Sequence, residues 1–282
     1  MDTKWRRSDG LAHLRGDARQ SAVGAGVSPD IAALADELRA AEAERRSIPQ
    51  LSAKPDGLDL ATAYEVQRHN FERRLAGGDS FMGYKLGLTS RAKQVAMGVA
   101  SPLWGRLSAG LLHPEEEPLD LGAFIHPRVE SEIAFLLGRD VDGPTATTAS
   151  VLAATEGVFP ALEILDSRYD DFRFTLADVV ADNASAAGVV CGGRLLAPAA
   201  VDVQLEGMVL RSDGEVVDTA AGAAVSGHPA AAVAWLAREA GGLPAGAIVL
   251  SGGLTAPVSL TPGTVVSAEF THLGSVTLRC AP

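Results

Sequence analysis

The chain has 282 residues, of which 47% are hydrophobic and 21% are charged, and this balance is typical of a soluble globular protein with a full hydrophobic core. A net charge of −11 and only four lysines argue against nucleic-acid binding, because such a surface repels a polyanion. No run of 18 or more apolar residues occurs, and the two cysteines, Cys191 and Cys280, fit a reducing compartment. We therefore expect a cytoplasmic protein that neither spans a membrane nor carries a disulfide framework.

The N-terminal segment is rich in Gly, Ser, Asp and Arg and shows no hydrophobic periodicity. The basic residues Arg6 and Arg7 are not followed by the apolar stretch of a signal peptide, so we expect no targeting function for them. A segment of this composition cannot bury enough apolar surface to offset the entropy lost on ordering. We therefore predict that residues 1–28 form a disordered or loosely attached tail.

Two amphipathic helices are predicted after this tail. The first begins at Asp30, a favoured N-cap residue, and its apolar residues recur at helical spacing. The second follows Asp59 and ends at the glycine-rich segment 77–79. Together the two helices define a predicted N-terminal helical subdomain of residues 29–80.

From residue 81 onward, the pattern changes to short strands, with one further helix that has Pro229 in its first turn and Gly241 after its end. An Asp-Gly pair at 213–214 predicts the turn of a hairpin. Many strands with few intervening helices favour an α+β protein with a mixed or antiparallel sheet over a doubly wound one. We predict a single β-rich domain over residues 81–282, without a GxGxxG or Walker A loop. The other predicted strands lie in FMGYKLGL, HPRVESEIAFLLG, FPALEILDSRY, AIVLSGG, VVSAEFTHLG and SVTLRCA.

Three glutamates stand in strands whose other residues are largely apolar. Glu130 and Glu132 are two residues apart, so their side chains project to the same side, about 7 Å apart along the strand. Glu163 lies among apolar residues in FPALEILD. Carboxylates in such positions resist burial unless a cation lies between them, and three of them suit Mg²⁺ or Mn²⁺ with positions left for the oxygens of an oxo acid. The alternative is that these glutamates face solvent on half-exposed strands.

Lys85 is the second unusual residue, since lysine is rare in this chain and Lys85 stands between two glycines in an apolar run. A desolvated lysine can bind a substrate carboxylate or move a proton, whereas the alternative is an ordinary surface lysine. The small residues of SGGLT, 251–255, end a strand, and they either admit a ligand to the backbone or form a turn. His126 and His228 each precede a proline, and we expect structural or capping roles for them.

A family resemblance is carried by five segments: GYKLGLTSRAKQVAMGV, HPRVESEIAF, PALEILDSRYDDFRF, VVADNAS and GAAVSGHPAAAVAWLA. Over about residues 30 to 280, the chain resembles the 2-keto-4-pentenoate hydratase and 4-oxalocrotonate decarboxylase group of the fumarylacetoacetate hydrolase superfamily. The resemblance implies a catalytic domain with a distorted β-roll core, a helical N-terminal region, homo-oligomers and, for the decarboxylases, association with a hydratase. It implies Mg²⁺ or Mn²⁺ bound by Glu130, Glu132 and Glu163, with Lys85 as the active-site lysine. The substrate-binding residues that it implies are Leu103, Asn183, Ser185, Ser251 and Thr255.

Within this group, the residues favour a decarboxylase. Hydratases of the group typically carry an Asp in a P-D-F/Y-G stretch, and the corresponding residue here is Leu103, which cannot move a proton. The segments DSRYDDFRF and SGGLTAPVSL also resemble the decarboxylase versions more closely. The resemblance therefore implies metal-dependent loss of CO₂ from a 2-oxo-enedioate of the 4-oxalocrotonate type, which leaves a 2-hydroxydienoate.

Several alternatives stay open at this point. A hydratase would add water to a 2-hydroxypenta-2,4-dienoate, and a C–C hydrolase or tautomerase of the same superfamily would act on a related oxo acid. The hydrolases usually need a His–Glu pair, and His69 has no evident partner for that role. The segment 186–188 after ADNAS departs from the pattern of the group and leaves room for a specialised substrate. A non-catalytic scaffold is disfavoured, because it has no need of the three glutamates and Lys85.

Overall fold

A computed structural model of the chain describes residues 30–282, so the tail predicted for residues 1–28 lies outside the described part. Asp30 and Asp59 cap the first two helices by accepting hydrogen bonds from backbone N–H groups of the first turn, as the sequence predicts. None of the helices in residues 30–282 combines the length and apolar character needed to cross a membrane. The helices are α1 (Ile31–Glu44), α2 (Leu60–Ala76), α3 (Arg91–Met97), α4 (Thr148–Ala154), α5 (Leu176–Ala181) and α6 (Pro229–Ala240).

Thirteen strands within residues 30–282 form three sheets. The hairpin predicted around the Asp-Gly pair joins two of them, and both turn residues have positive φ, as such turns require. The strands are β1 (Phe81–Gly87), β2 (Leu103–Ser108), β3 (Arg128–Leu137), β4 (Val141–Asp142), β5 (Thr155–Leu165), β6 (Ala186–Cys191), β7 (Gly207–Ser212), β8 (Glu215–Ala221), β9 (Gly242–Leu243), β10 (Ile248–Leu250), β11 (Val258–Ser259), β12 (Val265–Phe270) and β13 (Gly274–Arg279).

The largest sheet has the strand order β2-β1-β10-β3-β5-β6, and β11 pairs with the beginning of β3. Strands β1 and β10 run parallel, whereas the other pairs in this sheet are antiparallel. A second sheet has the order β13-β12-β7-β8, and β4 pairs with β9. This mixed sheet, preceded by helices, confirms the predicted α+β class and the curled β-roll core.

Successive side chains of β3 point to opposite faces of the sheet, and this alternation positions two of the glutamates. One face of this strand carries Val129, Ile133 and Phe135, which are completely buried in the main hydrophobic core. Burial of side chains of this size contributes about 1.5–3 kcal/mol each, so the register of β3 is strongly fixed. The opposite face therefore presents Glu130 and Glu132 at fixed positions.

The helical layer is not separate from the sheet. Helices α1 and α2 share a hydrophobic cluster with residues from beyond position 80, among them Leu103, Tyr169 and Val180. The division of the chain into domains at residue 80 therefore stays a prediction. The sixth helix agrees with the sequence: His228 caps it, Pro229 occupies its first turn and Gly241 ends it in the left-handed conformation.

Candidate active site

The antiparallel pairing of β3 with β5 brings the three glutamates together. Glu130 lies directly opposite Glu163 in the register, and Glu132 is two residues further along the same face of β3. One carboxylate oxygen of each residue lies within 4.8 Å of those of the other two. Glu132 and Glu163 are completely buried and Glu130 is 9% exposed, so the alternative of solvated surface glutamates is wrong. We call these three residues together with Lys85 the glutamate site.

Burial and mutual repulsion dominate the electrostatics of the glutamate site. The pKa of Glu132 is raised well above its ordinary value, first by burial and then by the nearby charge of Glu163. Burial also raises the pKa of Glu163, although the ammonium of Lys85 opposes that shift. Glu132 Oε1 and Glu163 Oε2 have no hydrogen-bond partner within residues 30–282. Because buried carboxylate oxygens without partners are costly, this arrangement favours a bound cation.

Lys85 projects from β1 towards these carboxylates. Its Nζ lies 3.0 Å from Glu163 Oε1 and donates a hydrogen bond of 2.9 Å to the carbonyl oxygen of Ala184. The side chain is 3% exposed, so the alternative of a surface lysine is wrong. Strand β1 lies so close to β10 that a Cβ on Gly83 would be 1.8 Å from the carbonyl oxygen of Ile248. A buried ammonium in this position can bind a carboxylate or donate a proton.

A second lysine, not identified from the sequence, contacts the glutamate site. Lys93 on α3 places its Nζ 2.7 Å from Glu130 Oε1 and 3.3 Å from the carbonyl oxygen of Gly253. The sequence does carry a signal for this short helix, since Ser90 caps it and Gly98 ends it in the left-handed conformation. The rarity of lysine in the chain was a further signal. Lys93 thus supplies a positive charge beside the most accessible of the three carboxylates.

The SGGLT segment approaches the glutamates with its backbone. The N–H of Gly252 donates a 2.6 Å hydrogen bond to Glu132 Oε2, and a Cβ on Gly253 would lie 2.1 Å from Glu130 Oε2. Ser251 is completely buried, and its Oγ has no hydrogen-bond partner in the described chain. Thr255 is also buried, but its hydroxyl donates to the carbonyl oxygen of Ala256 and contacts none of the three glutamates. Of these two predicted substrate-binding hydroxyls, that of Ser251 is therefore unpaired within residues 30–282 and that of Thr255 is hydrogen-bonded.

A left-handed turn between α5 and β6 supplies the carbonyl that Lys85 contacts. Asn183, Ala184 and Ser185 have φ values of 49°, 56° and 58°, an uncommon conformation for consecutive residues other than glycine. The side-chain amide of Asn183 accepts a hydrogen bond from the N–H of Arg106 and donates one to the Arg106 carbonyl oxygen, both at 2.8 Å. Both polar atoms of the Asn183 side chain are therefore bonded to β2. Ser185 is buried, and its Oγ has no partner in residues 30–282. Of the two predicted substrate-binding side chains here, Ser185 is the one with an unused polar atom.

Leu103 forms an apolar wall beside Lys85. It lies opposite Gly87 in the pairing of β2 with β1 and is 3% exposed. A Cβ on Gly87 would lie 2.8 Å from Leu103 Cδ1 and 4.0 Å from Lys85 Nζ, which places the leucine side chain and the ammonium around the same point. On this side of Lys85, the Leu103 side chain is therefore unable to exchange protons.

A second group of buried charged residues stabilises the left-handed turn between α5 and β6. The N–H of Arg168 donates to Asp182 Oδ2 at 3.0 Å, and its guanidinium donates to Asp182 Oδ1 and to the Asp182 carbonyl oxygen. Asp178 accepts hydrogen bonds from the N–H and hydroxyl groups of both Ser52 and Thr175. We call Arg168, Asp178 and Asp182 the anchor. The sequence did not reveal it, because its members come together only in the folded chain.

A cavity lies beside the anchor, and none of its lining residues belongs to the glutamate site. It has a volume of about 520 Å³ and is lined by α1, α2 and the turn, including Arg74, Arg168 and Asp182. These three charged side chains are already paired within the protein, Arg74 with Glu42 and Arg168 with Asp182. Cavity volume therefore does not select a reactive centre, and the unpaired buried oxygens make the glutamate site the candidate.

The donor atoms of the glutamate site fit a hard divalent cation. Three carboxylates contribute oxygen atoms, the ligands that Mg²⁺ and Mn²⁺ prefer, and at least two of those oxygens lack a partner in residues 30–282. Lys85 contacts Glu163, and the SGG backbone contacts Glu132. The arrangement can hold a cation and present a buried proton donor to an oxo acid. The roles of these residues as ligands and catalyst stay predictions.

Comparisons with known proteins support the resemblance found in the sequence. The family described as fumarylacetoacetate (FAA) hydrolase C-terminal matches residues 105–280. A 4-oxalocrotonate decarboxylase of Pseudomonas sp. (strain CF600) is 40% identical over 253 residues, which are 88% of this chain and 96% of that protein. A 2-keto-4-pentenoate hydratase of Burkholderia vietnamiensis (strain G4 / LMG 22486) is 39% identical over 250 residues, 87% of this chain and 95% of that protein.

A solved structure shows the same fold. The 4-oxalocrotonate decarboxylase from Pseudomonas putida G7, complexed with magnesium and adipate, superposes with a TM-score of 0.86 and 38% identity, covering 89% of this chain and 97% of that one. The two enzyme types among the relatives are similar to this chain to nearly the same degree. Overall identity therefore does not distinguish them, and the distinction depends on individual residues.

Proposed function

The chain belongs to the fumarylacetoacetate hydrolase family and is a lyase of its decarboxylase and hydratase type, and from this premise we propose that it decarboxylates a 2-oxo-enedioate of the 4-oxalocrotonate type. The products would be a 2-hydroxydienoate and CO₂. Glu130, Glu132 and Glu163 would hold Mg²⁺ or Mn²⁺, and the magnesium in the relative from Pseudomonas putida G7 supports this choice. The observation that carries the proposal is the apolar side chain of Leu103 beside Lys85.

The conjugation of the proposed substrate allows it to lose CO₂. In 2-oxohex-3-enedioate, the C6 carboxylate is related to the C2 keto group through the C3–C4 double bond, as in a β-keto acid. Breaking the C5–C6 bond leaves its electron pair on C5, from which the charge spreads to the C2 oxygen as a dienolate. One proton on the C2 oxygen then gives the 2-hydroxydienoate, which keeps its C1 carboxylate. A bound divalent cation supplies Lewis-acid stabilisation of the oxygen on which this charge develops.

The protein's own residues complete this chemistry. The Lys85 ammonium, held between Glu163 and the carbonyl of Ala184, is the buried proton source nearest the site. Leu103 offers no proton acceptor and keeps water away from that side, which favours departure of a carboxylate over addition of water. Ser185 and Ser251 have buried hydroxyls free to bind the substrate. These residues orient the substrate and supply the proton without a covalent intermediate.

A hydratase is the second candidate, favoured by the nearly equal identity to hydratases. The deciding experiment follows products by NMR from 2-oxohex-3-enedioate and from 2-hydroxypenta-2,4-dienoate, each with and without Mg²⁺. The proposal expects CO₂ and the dienoate from the first substrate and slow hydration of the second. Rapid formation of 4-hydroxy-2-oxopentanoate without CO₂ release would show that the protein is a hydratase.

Substitution of Leu103 tests the residue on which the assignment depends. Leu103→Asp is expected to slow decarboxylation, because a buried carboxylate beside Lys85 competes for its ammonium and repels the anionic substrate. Leu103→Asn has the same shape without the charge and serves as the matched control. If both variants are equally slow, the loss comes from packing and the charge argument fails.

Homo-oligomer formation and association with a hydratase are further proposals. Light scattering of the pure protein tests the first, and light scattering of its mixture with a hydratase tests the second.

A further inference from the structure

Arg128 shares a strand face with two of the glutamates. It is the first residue of β3, and Arg128, Glu130 and Glu132 alternate onto the same side of that strand. Arg128 lies opposite Leu165 on β5, two positions before Glu130 meets Glu163, and it also pairs with Ser259 of β11. The backbone positions of Arg128 and Glu130 are therefore about 7 Å apart along the strand.

The guanidinium of Arg128 has no carboxylate partner. Neighbouring arginines are paired, Arg168 with Asp182 and Arg173 with Asp171, whereas Arg128 forms no ion pair with any carboxylate of residues 30–282. Its Cζ instead lies 3.9 Å from the ring centroid of Phe172. A guanidinium stacked on an aromatic ring keeps its N–H edge free and its plane fixed, which suits bidentate binding of a carboxylate.

The loop that carries Phe172 is held in an unusual conformation. Asp171 and Phe172 have φ values of 54° and 56°, and a bulky residue seldom adopts this region. The Phe172 ring also contacts the imidazole of His126, with 4.6 Å between ring centroids, and His126 Nε2 lies 2.8 Å from the carbonyl oxygen of Ser167. The folded structure thus maintains a strained position that places an aromatic ring under Arg128.

A small cavity opens beside this stack. It has a volume of about 260 Å³, and Arg128, His126, Phe172 and Ser259 line it. Asp171 also lines it, but this carboxylate is exposed and paired with Arg173 at 3.0 Å, so it does not neutralise Arg128. The cavity therefore presents the unpaired positive charge of Arg128, which lies two positions before Glu130 on the same strand.

We propose, resting on the function proposed above, that Arg128 binds the second carboxylate of a dicarboxylate substrate and thereby selects 2-oxo diacids over 2-oxo monoacids. A six-carbon diacid spans about 6 Å between its terminal carbons, which is comparable to the separation of about 7 Å between the backbone positions of Arg128 and Glu130 on their shared strand face. The 2-oxo acid end would lie at the glutamate site and the far carboxylate at Arg128. Phe172 positions the guanidinium and does not itself bind the substrate.

This role predicts a specific kinetic pattern. A positive charge on the far carboxylate stabilises the bound substrate but does not help the C5–C6 bond to break. Because negative charge leaves the far carboxylate as CO₂ forms, the pair with Arg128 stabilises the ground state more than the transition state, so its loss raises KM without lowering kcat. A residue that only supported the fold would not produce an effect confined to diacids.

The test measures binding to the Mg²⁺-loaded protein by calorimetry with two probes that differ only in the terminal carboxylate, 2-oxohexanedioate and 2-oxohexanoate. Neither contains the double bond needed for the proposed decarboxylation. We expect the diacid to bind at least about tenfold more tightly, since a charge-assisted hydrogen-bonded pair is removed from the monoacid. Arg128→Met should abolish this difference by weakening the diacid alone, Arg128→Lys should retain part of it, and Phe172→Leu should reduce it less than Arg128→Met does.

A matched control is available on the second sheet. Arg211 of β7 is a half-buried arginine paired with Glu269, and Arg211→Met should leave both affinities unchanged. Equal affinity of the two probes for the wild-type protein, or an equal loss of both in Arg128→Met, would overturn the inference. If CO₂ is released from the enedioate but the diacid preference does not depend on Arg128, only this inference fails. If that preference depends on Arg128 but no CO₂ is released, the proposed reaction fails and the binding role stands.

Discussion

The glutamate site and the anchor both bury several charges, but they satisfy them differently. In the anchor, Arg168 and Asp182 are joined by several hydrogen bonds, and the Asp178 carboxylate accepts four. In the glutamate site, three carboxylates share one buried ammonium, and oxygens of Glu132 and Glu163 have no hydrogen-bond partner in the described chain. Buried charges that are fully paired hold the fold together, whereas unpaired ones indicate a missing ligand. The predictions below test this distinction.

The largest expected effect is on activity at the glutamate site. Glu163→Gln should lower kcat/KM by at least about 10³-fold, because the carboxylate that helps to hold the cation is lost and a metal ion contributes several kcal/mol to such reactions. The fold should be retained, as judged by circular dichroism. Glu156→Gln changes an exposed glutamate on the same strand and serves as the control. Full activity of the wild-type protein in excess EDTA would show that no metal is required.

The next effect is on stability at the anchor. Arg168→Met leaves Asp182 buried without its partner, and breaking such a pair costs about 3 kcal/mol in the free energy of unfolding. Urea denaturation followed by fluorescence measures this loss. Arg173→Met, which breaks an exposed pair with Asp171, should cause no measurable change. Equal stability of the two variants would remove the contrast between buried and exposed pairs.

Lys85 is expected to affect turnover. Lys85→Ala should lower kcat by about 10²-fold if the lysine donates the proton, since general acid catalysis contributes an effect of this order. Steady-state kinetics on the enedioate separates the roles, because a rise in KM alone would indicate binding. Lys54→Ala removes an exposed lysine paired with Glu37 and should leave both constants unchanged. An unchanged kcat/KM for Lys85→Ala would exclude the lysine from the site.

The smallest expected effect is on the stability of the metal-free protein. Glu132→Gln should change its free energy of unfolding by less than about 1 kcal/mol, because the amide oxygen still accepts from Gly252 and one of three repelling charges is removed. Mg²⁺ at a hundred times its Kd should stabilise the wild-type protein by about 2.7 kcal/mol and the variant far less. Urea denaturation with Mg²⁺ and with EDTA measures both quantities. Equal stabilisation of variant and wild type by Mg²⁺ would argue that Glu132 is not a ligand.

Features set by neighbouring residues were predictable from the sequence. Asp30 and Asp59 begin helices, Gly241 ends one, and the Asp-Gly pair 213–214 turns a hairpin, because each of these conformations depends on a few adjacent residues. The parallel pairing of β1 with β10 was not predictable, since it joins distant segments. The left-handed Ala184 was not predictable either, because alanine has no preference for that conformation.

Some features of the candidate site were likewise predictable from local sequence, whereas others depend on contacts between distant segments. The shared face of Glu130 and Glu132 follows from strand alternation, and the odd position of Glu163 was visible among its apolar neighbours. That Glu163 lies directly opposite Glu130 depends on the register between two strands, which no local pattern specifies. The contacts of Lys93 with Glu130 and of Arg128 with Phe172 bring together segments far apart in the chain. The positions of Lys93 and Arg128 beside these groups therefore became visible only in the folded protein, whereas Lys85 was identified from the sequence.

The parallel pairing of β1 with β10 also bears on how the chain folds. These strands lie near opposite ends of the described chain, and β10 separates Lys85 on β1 from the glutamates on β3. Such a pairing closes a long loop, and proteins dominated by contacts of this kind fold slowly because the entropy of closure is lost before the contacts form. Lys85 therefore cannot join the three glutamates of β3 and β5 in a partly synthesised or half-folded chain. The recovery of turnover in refolding protein should accordingly follow the pairing of β1 with β10, whereas Mg²⁺ binding requires only β3 and β5.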